Sequence, residues 1–127
     1  MNYNLKKEIF MWSVITTDLF DDWYDTLDDT DRSNVLASMI VLQERGPALS
    51  RPYADTIKGS NHKNMKELRV QSKGKPIRIF FAFDPKRNAI LLCAGNKTGK
   101  DKRFYEVMIP IADKEFTLHL NNNKMQE

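Results

Sequence analysis

The stretch MKELRVQSKGKPIRIFFAFDPKRNAILLCAGN, Met65 to Asn96, decides the fold. Three apolar runs, MKELRVQ, PIRIFFAFD and NAILLCAGN, are separated by SKGK and DPKRN, both rich in turn-forming residues. They read as three consecutive antiparallel strands. With SKGK as a four-residue connection, Gln71 pairs with Pro76 and Arg69 stands opposite Arg78. Side chains alternate along a strand, so Leu68, Val70, Ile77, Ile79, Phe81 and Phe83 share the core face. Glu67, Arg69, Phe80 and Ala82 share the other. Like charges directly opposite each other destabilise a sheet. Something must offset the arginine repulsion: Glu67 in the resting protein, or a phosphate when a ligand binds. The forked guanidinium suits phosphate. An ordinary ion pair, Arg69 with Glu67 or Arg78 with an acid from a helix, is the competing reading.

Outward from this hairpin, MWSVITT reads as a first strand, and TTDLFDDWYDTL as a helix capped by Thr17 or Asp18 with acids in its first turn. A second helix starts near DDTDRSNV, buries a stripe of Val35, Leu36, Met39, Ile40 and Leu42, and stops at Gly46-Pro47. PALSRPYADTIKGSNHKN reads as a loop, with two prolines and a glycine. Beyond the strands come a basic loop, a stretch interrupted at Pro110, and a final helix. The order β-α-α-β-β-β-α predicts an α+β fold: an N-terminal strand and helical hairpin on a mainly antiparallel sheet, with a C-terminal helix, and the helices on one sheet face. One domain over residues 1–127 is expected, with 1–11 a lead segment and 121–127 a frayed tail.

The net charge of +3 hides a division. Residues 1–31 carry two lysines against eight acids, whereas Arg51 to Arg103 holds 14 cations and four acids. A cationic face of that density suits a polyanion, nucleic acid being the usual one, although a solvated lysine surface explains the count as simply. Lys97, Lys100, Lys102 and Arg103 cluster after the last strand, where Gly95 and Gly99 permit close backbone approach and Tyr105 adds a ring and a hydroxyl. GNKTGK lacks the phosphate-loop pattern. Two histidines and one cysteine make no zinc signature, and the N-terminal aspartates lack calcium-loop spacing, so no metal and no cofactor is expected. Cys93, in an apolar run, reads as a buried and inert thiol in a reducing compartment. His119 reads as a surface or helix-end residue, and His62, in the basic segment, as a candidate proton carrier. Without a signal-peptide pattern or an apolar run of membrane-spanning length, a cytoplasmic protein is expected.

The segments WSVITTDLFDDWYDTL, QERGPALSRPYADTIKGSNHKNMKELRV, PIRIFFAFDPKRNAILLCAGNK and RFYEVMIPIADKEFTLHL together resemble HigB-like toxins, phage-associated relatives within the RelE/ParE toxin–antitoxin superfamily. The likeness runs from Trp12 to Leu120 and is most specific in GPALSRP, KGSNHKNMKELR and IPIAD. It implies a RelE-like fold, ribosome-dependent cleavage of mRNA, and a hetero-oligomer with an antitoxin that carries a helix-turn-helix domain. On that resemblance Arg69 and Arg78 match site arginines near the RNA phosphate, and Lys97, Lys102 and Arg103 correspond loosely to a basic loop. Glu67 and Met65 stand where RelE has a lysine pair, with Lys66 between them. Ile109 falls at the RelE tyrosine, one turn after Tyr105. The expected site therefore comprises Arg69 and Arg78 as charge stabilisers, Glu67 or His62 as base, and Tyr105, His62 or a lysine as acid. Lys63, Lys66, Lys97, Lys100, Lys102 and Arg103 are expected on the RNA backbone. The superfamily also holds ParE-type inhibitors of gyrase, so that activity, or nucleic-acid binding without cleavage, is the alternative.

Overall fold

In the computed structural model, which describes residues 11–99 and 101–126, five strands form one mixed sheet in the order β1-β5-β4-β3-β2. The chain runs β1 (Ser13–Thr16), α1 (Asp18–Asp25), α2 (Asp29–Arg45), a 3₁₀ turn (Gly46–Ala48), β2 (Ala54–Thr56), β3 (Lys66–Ser72), β4 (Lys75–Phe83), β5 (Asn88–Asn96) and α3 (Asp101–Gln126). β1 lies parallel to β5 and every other pairing is antiparallel. Residues 1–10 of the expected 1–11 lead lie outside the described residues, whereas the expected tail is helical as far as Gln126.

The hairpin has the predicted register, with Gln71 opposite Pro76 and Arg69 opposite Arg78. Its turn is tighter than expected, because Ser72 also pairs with Lys75 and leaves only Lys73 and Gly74 in the loop. Both have positive φ, 52° and 78°, which matches the twist of the flanking strands. Asp31, buried on α2, accepts from Ser72 Oγ at 2.5 Å and Lys75 Nζ at 2.6 Å, and Asp28 pairs with Lys73. The acidic N-terminal third thus anchors the cations of this turn.

The helices cover both faces of the sheet, not one. Leu68, Val70, Ile77, Ile79, Phe81 and Leu91 pack with Phe20, Val35 and Leu42 of the helical hairpin. Phe80, Ala82, Ile90, Leu92 and Cys93 form a second core with Ala112 and Phe116 of α3. A bulge between Phe80 and Phe81, where β4 meets β5, turns the consecutive Leu92 and Cys93 to the same face. Burial, and then the charge of Glu115, pushes the Cys93 thiol up to about 12.

Local signals explain the hairpin of helices. Thr17 caps α1 by accepting from Phe20 N–H at 3.1 Å, and its hydroxyl donates to the Leu92 carbonyl at 2.7 Å, tying the helix to β5. Asp28 caps α2 through the Asp31 N–H. The buried stripe of α2 is narrower than expected: Val35 and Leu42 are buried and Met39 packs beside them, while Leu36 and Ile40 face solvent. At Gly46, φ is 56° and the Trp12 indole lies where a Cβ would stand, at 2.3 Å from Nε1.

Two expectations fail on tertiary grounds. β2 lies within the segment read as loop, held to β3 by its ladder and by Ile57 N–H donating to the Met65 carbonyl at 2.9 Å. Helix α3 runs unbroken through Pro110. Proline inside a helix costs about 3 kcal/mol, which is offset where Met108, Ile109, Ala112, Phe116 and Leu120 pack on the second core.

The far half of α3 is fixed by Asp84, whose side chain is fully buried. Its Oδ1 accepts from the N–H groups of Lys86 and Asn88 at 3.0 and 2.9 Å. Its Oδ2 accepts from Asn88 Nδ2 at 3.0 Å and meets His119 Nε2 at 2.8 Å. His119 is thus a structural partner of the β4–β5 turn rather than a surface residue. Burial raises the Asp84 carboxyl, but the His119 and Asn88 hydrogen bonds outweigh it and hold the group below 3.8. A carboxylate lowered on folding adds stability above its unfolded pKa and loses it as pH falls through the folded one. Asp84→Asn should therefore cost about 1.5–3 kcal/mol at neutral pH. The gap from wild type in urea unfolding should narrow below pH 3.8.

Candidate active site

Glu67 sits at the centre of a polar cluster on the α3 side of the sheet, 3% exposed. β3 places Glu67 and Arg69 on one face by alternation, and β4 brings Arg78 across from Arg69. Tyr105 arrives from the second turn of α3, close to the sheet because Gly95, opposite Arg78, has no side chain. A Cβ there would meet the Phe104 ring at 3.0 Å.

The Glu67 carboxylate serves three side chains. Tyr105 donates its hydroxyl to Oε1 at 2.5 Å. Arg69 approaches Oε2 with Nε at 3.2 Å and Nη2 at 3.1 Å. Arg78 Nε lies 3.8 Å from Oε1, too far for a hydrogen bond, and this buried nitrogen has no hydrogen-bond partner among the described residues. Its Nη1 donates to the Ile77 carbonyl at 3.0 Å. Asp55 of β2 adds a second carboxylate, 3.2 Å from Arg69 Nη2 and 2.9 Å from Arg51 Nη2. Three arginines thus meet two carboxylates, leaving positive charge in excess. The Arg51 hydrogen bond is the main cause holding Asp55 below 3.8. Burial, and then the hydrogen bond to Glu67, pushes the Tyr105 phenol up to about 12.

Arg69 and Arg78 open onto a groove of about 760 Å³, shared with Lys97, Gln71, Pro76 and Tyr53. Lys97 Nζ lies 5.9 Å from the Tyr105 ring centre and 3.8 Å from Asp101. Lys102 lines a second groove with Tyr105, on the α3 side. The structure therefore brings Glu67, Arg69, Arg78, Tyr105 and Lys97 together, with Lys102 beside them. Arg103 is exposed on the first turn of α3, Lys63 is exposed before β3, and Lys66 sits on β3 with its side chain on the opposite face from Glu67. Lys100 lies outside the described residues.

His62 does not join this cluster. Its Nε2 meets Thr117 Oγ1 at 2.9 Å and its ring packs edge-on against Phe116. Thr117 is twelve residues from Tyr105, about 18 Å along the helix. Ser60 and the Asn61 N–H bind Asp113 in the same region, so the loop before β3 is clasped to α3. Asp55, by contrast, was absent from the sequence expectation. Its spacing of four from Arg51 in RPYAD was the available signal. Among the described residues, no three His, Cys, Asp or Glu side chains converge as a cation site.

Removing Glu67 leaves Arg78 without its counter-charge and Arg69 with Asp55 alone. Breaking a buried ion pair from one side costs about 3–5 kcal/mol. Glu67→Ala should lose that much in urea unfolding, and adding Arg78→Met should recover part of it.

Residues 22–117 match the family model described as Phage derived protein Gp49-like (DUF891). Two Mycobacterium tuberculosis proteins align across most of the chain. "Putative toxin HigB2" is 50% identical over 99 residues, covering 77% of this chain and 49% of that protein. "Putative toxin HigB3" is 44% identical over 101 residues, covering 80% and 87%. The chain thus spans about half the length of the first of these relatives. Among solved structures, a free-state mutant of the E. coli toxin RelE superposes with a TM-score of 0.53 at 8% identity, covering 74% of this chain and 92% of that one. The toxin–antitoxin complex RelBE2 from M. tuberculosis gives 0.53 at 11% identity, covering 68% and 98%. The RelE–RelB complex from Pyrococcus horikoshii OT3 gives 0.52 at 12%, covering 70% and 98%. At such identities the superpositions establish shared architecture. The chain is a member of the Gp49-like family, HigB-like in sequence and RelE-like in fold.

Proposed function

We propose that this chain is the toxin of a type II toxin–antitoxin pair and cleaves mRNA on the ribosome. The observation that carries the reading is the Arg69–Arg78 pair, facing each other on a ribbon and opening on a groove, with Arg78 Nε left without a hydrogen-bond partner among the described residues. A scissile phosphate there would take up guanidinium donors in the forked manner arginine favours. The names of the HigB relatives support a toxin, and the RelE–RelB complexes support an antitoxin partner, for which a helix-turn-helix protein is expected.

In the proposed reaction the ribose 2′-oxygen attacks the adjacent phosphorus and the bond to the 5′-oxygen breaks, giving a 2′,3′-cyclic phosphate and a free 5′-hydroxyl. Glu67 takes the 2′-hydroxyl proton, Tyr105 or a nearby lysine protonates the leaving oxygen, and Arg69 and Arg78 stabilise the phosphorane. His62, tied to Thr117 on the far part of α3, is the weaker candidate for either proton.

Primer extension on transcripts after brief induction should show cuts positioned within translated codons. Arg69→Ala with Arg78→Ala should abolish them, and Glu67→Gln should slow cleavage by ~10²–10⁴-fold, the range for one general acid–base group. Cleavage surviving in the double arginine variant would remove the assignment. Growth arrest with intact transcripts and DNA damage would point to gyrase instead.

A further inference from the structure

We propose that Tyr53 is a nucleobase-stacking platform beside the arginine pair, so that the groove reads a base as well as a phosphate. This rests on RNA being the polyanion of the proposed function, and it concerns a residue to which nothing above gives a role.

Tyr53 is 57% exposed, the most exposed of the large apolar side chains among the described residues. Exposure alone would mean little. Its backbone, however, is fixed from both sides: its N–H donates to the Ser50 carbonyl at 2.9 Å, and its carbonyl accepts from Arg69 N–H at 2.8 Å. The Arg51–Asp55–Arg69 ion pairs brace the same segment against β3. Tyr53 is thus an exposed ring on a held backbone, hydrogen-bonded through its main chain to that of Arg69. Among the described residues its ring has no aromatic or cationic partner and its hydroxyl no hydrogen bond. With the backbone held, only side-chain freedom is left to be lost when a ligand covers the ring.

The surroundings select the ligand. Tyr53 and Arg69 line both the 760 Å³ groove and a second one of about 290 Å³, and Ala37 and Ser38 of α2 make the shared opposite wall. Arg69, Arg78 and Lys97 line the larger groove. Cations that track a backbone, beside an aromatic face open to a planar group, are the recurring parts of a single-strand site. Tyrosine and arginine also dominate protein–protein hot spots. The three cations on the groove's wall favour a phosphodiester over a peptide.

The test is binding of short single-stranded RNA, 2′-O-methylated so that it cannot be cut, read by fluorescence anisotropy at low salt. One series is intact and the other carries a single abasic ribose moved along the strand. Stacking on an aromatic residue changes affinity by roughly 5- to 150-fold per base on alanine substitution. Tyr53→Ala should therefore weaken the intact strand by that factor, while Tyr53→Phe and Tyr53→Trp bind like wild type. At one abasic position, wild type and Tyr53→Ala should bind equally. Equal losses on intact and abasic strands, no loss at all, or no binding by wild type would overturn the platform. So would unchanged RNA affinity with a weakened antitoxin complex, which would make Tyr53 a protein contact. If wild type cuts no mRNA on ribosomes but the base-dependent loss persists, the cleavage reading falls and the platform stands. Normal cleavage by Tyr53→Ala with unaltered RNA affinity does the reverse.

Discussion

The buried carboxylate of Glu67 holds the candidate site together. It meets a phenol from α3 and guanidinium groups from both strands of the central hairpin, so it joins the helix to the ribbon. Without a negative charge at that point, Arg69 and Arg78 would repel across the ladder. The arrangement does little for stability relative to an apolar core, since desolvating charges costs about as much as their attraction returns. Its consequence is geometric. Glu67 fixes Tyr105 over the sheet, Gly95 admits the neighbouring Phe104 ring, and the first turns of α3 are set beside the arginines.

That placement depends in turn on the two-sided core. The second core uses Phe80, Ala82 and the bulged pair Leu92 and Cys93 to seat α3 through Ala112 and Phe116. The bulge shifts the phase of β5, because Leu92 and Cys93 both face α3 and the alternation resumes with Ala94 on the other side. Gly95 then falls opposite Arg78, under the α3 N-terminal turns. A local irregularity in one strand thus sets what lies above the site arginines. Asp84, with His119 and Asn88, secures the other end of the helix.

The hairpin was the most legible part of the sequence, because apolar alternation in IRIFFAF and a lysine–glycine turn both specify the same register. Arg69 opposite Arg78, and Glu67 beside them, followed from counting alone. The second core was not legible: Phe80, Ala82, Ile90 and Leu92 alternate as well as their neighbours do, and strand periodicity cannot show whether the far face meets a helix or water. Pro110 read as a break because local cost is visible in sequence and compensating packing is not. β2 has three residues, ADT, with poor strand propensity, and exists because β3 offers it an edge. The surroundings of His62 and His119 were hidden for a related reason. Their partners, Thr117 and Asp84, lie 55 and 35 residues away in the chain.

On the proposed reading, the same carboxylate that neutralises the arginines at rest is the group that must accept a proton. Those duties compete for the same lone pairs. In the resting arrangement Oε2 is taken by Arg69 and Oε1 by Tyr105. A phosphate that draws Arg69 and Arg78 toward itself removes donors from Glu67 and brings a second negative charge close to it. The first change frees Oε2 to receive the 2′-hydroxyl hydrogen. Burial and the hydrogen bond to Glu67 keep the Tyr105 phenol protonated in the resting arrangement, so the proton is in place when the leaving oxygen departs. Substrate binding and activation of the base are then one event, driven by guanidinium groups changing carboxylate for phosphate. The Arg78 Nε, which among the described residues meets Glu67 only by charge at 3.8 Å, fits this exchange, since a guanidinium that turns toward a phosphate can donate a hydrogen bond to its oxygen.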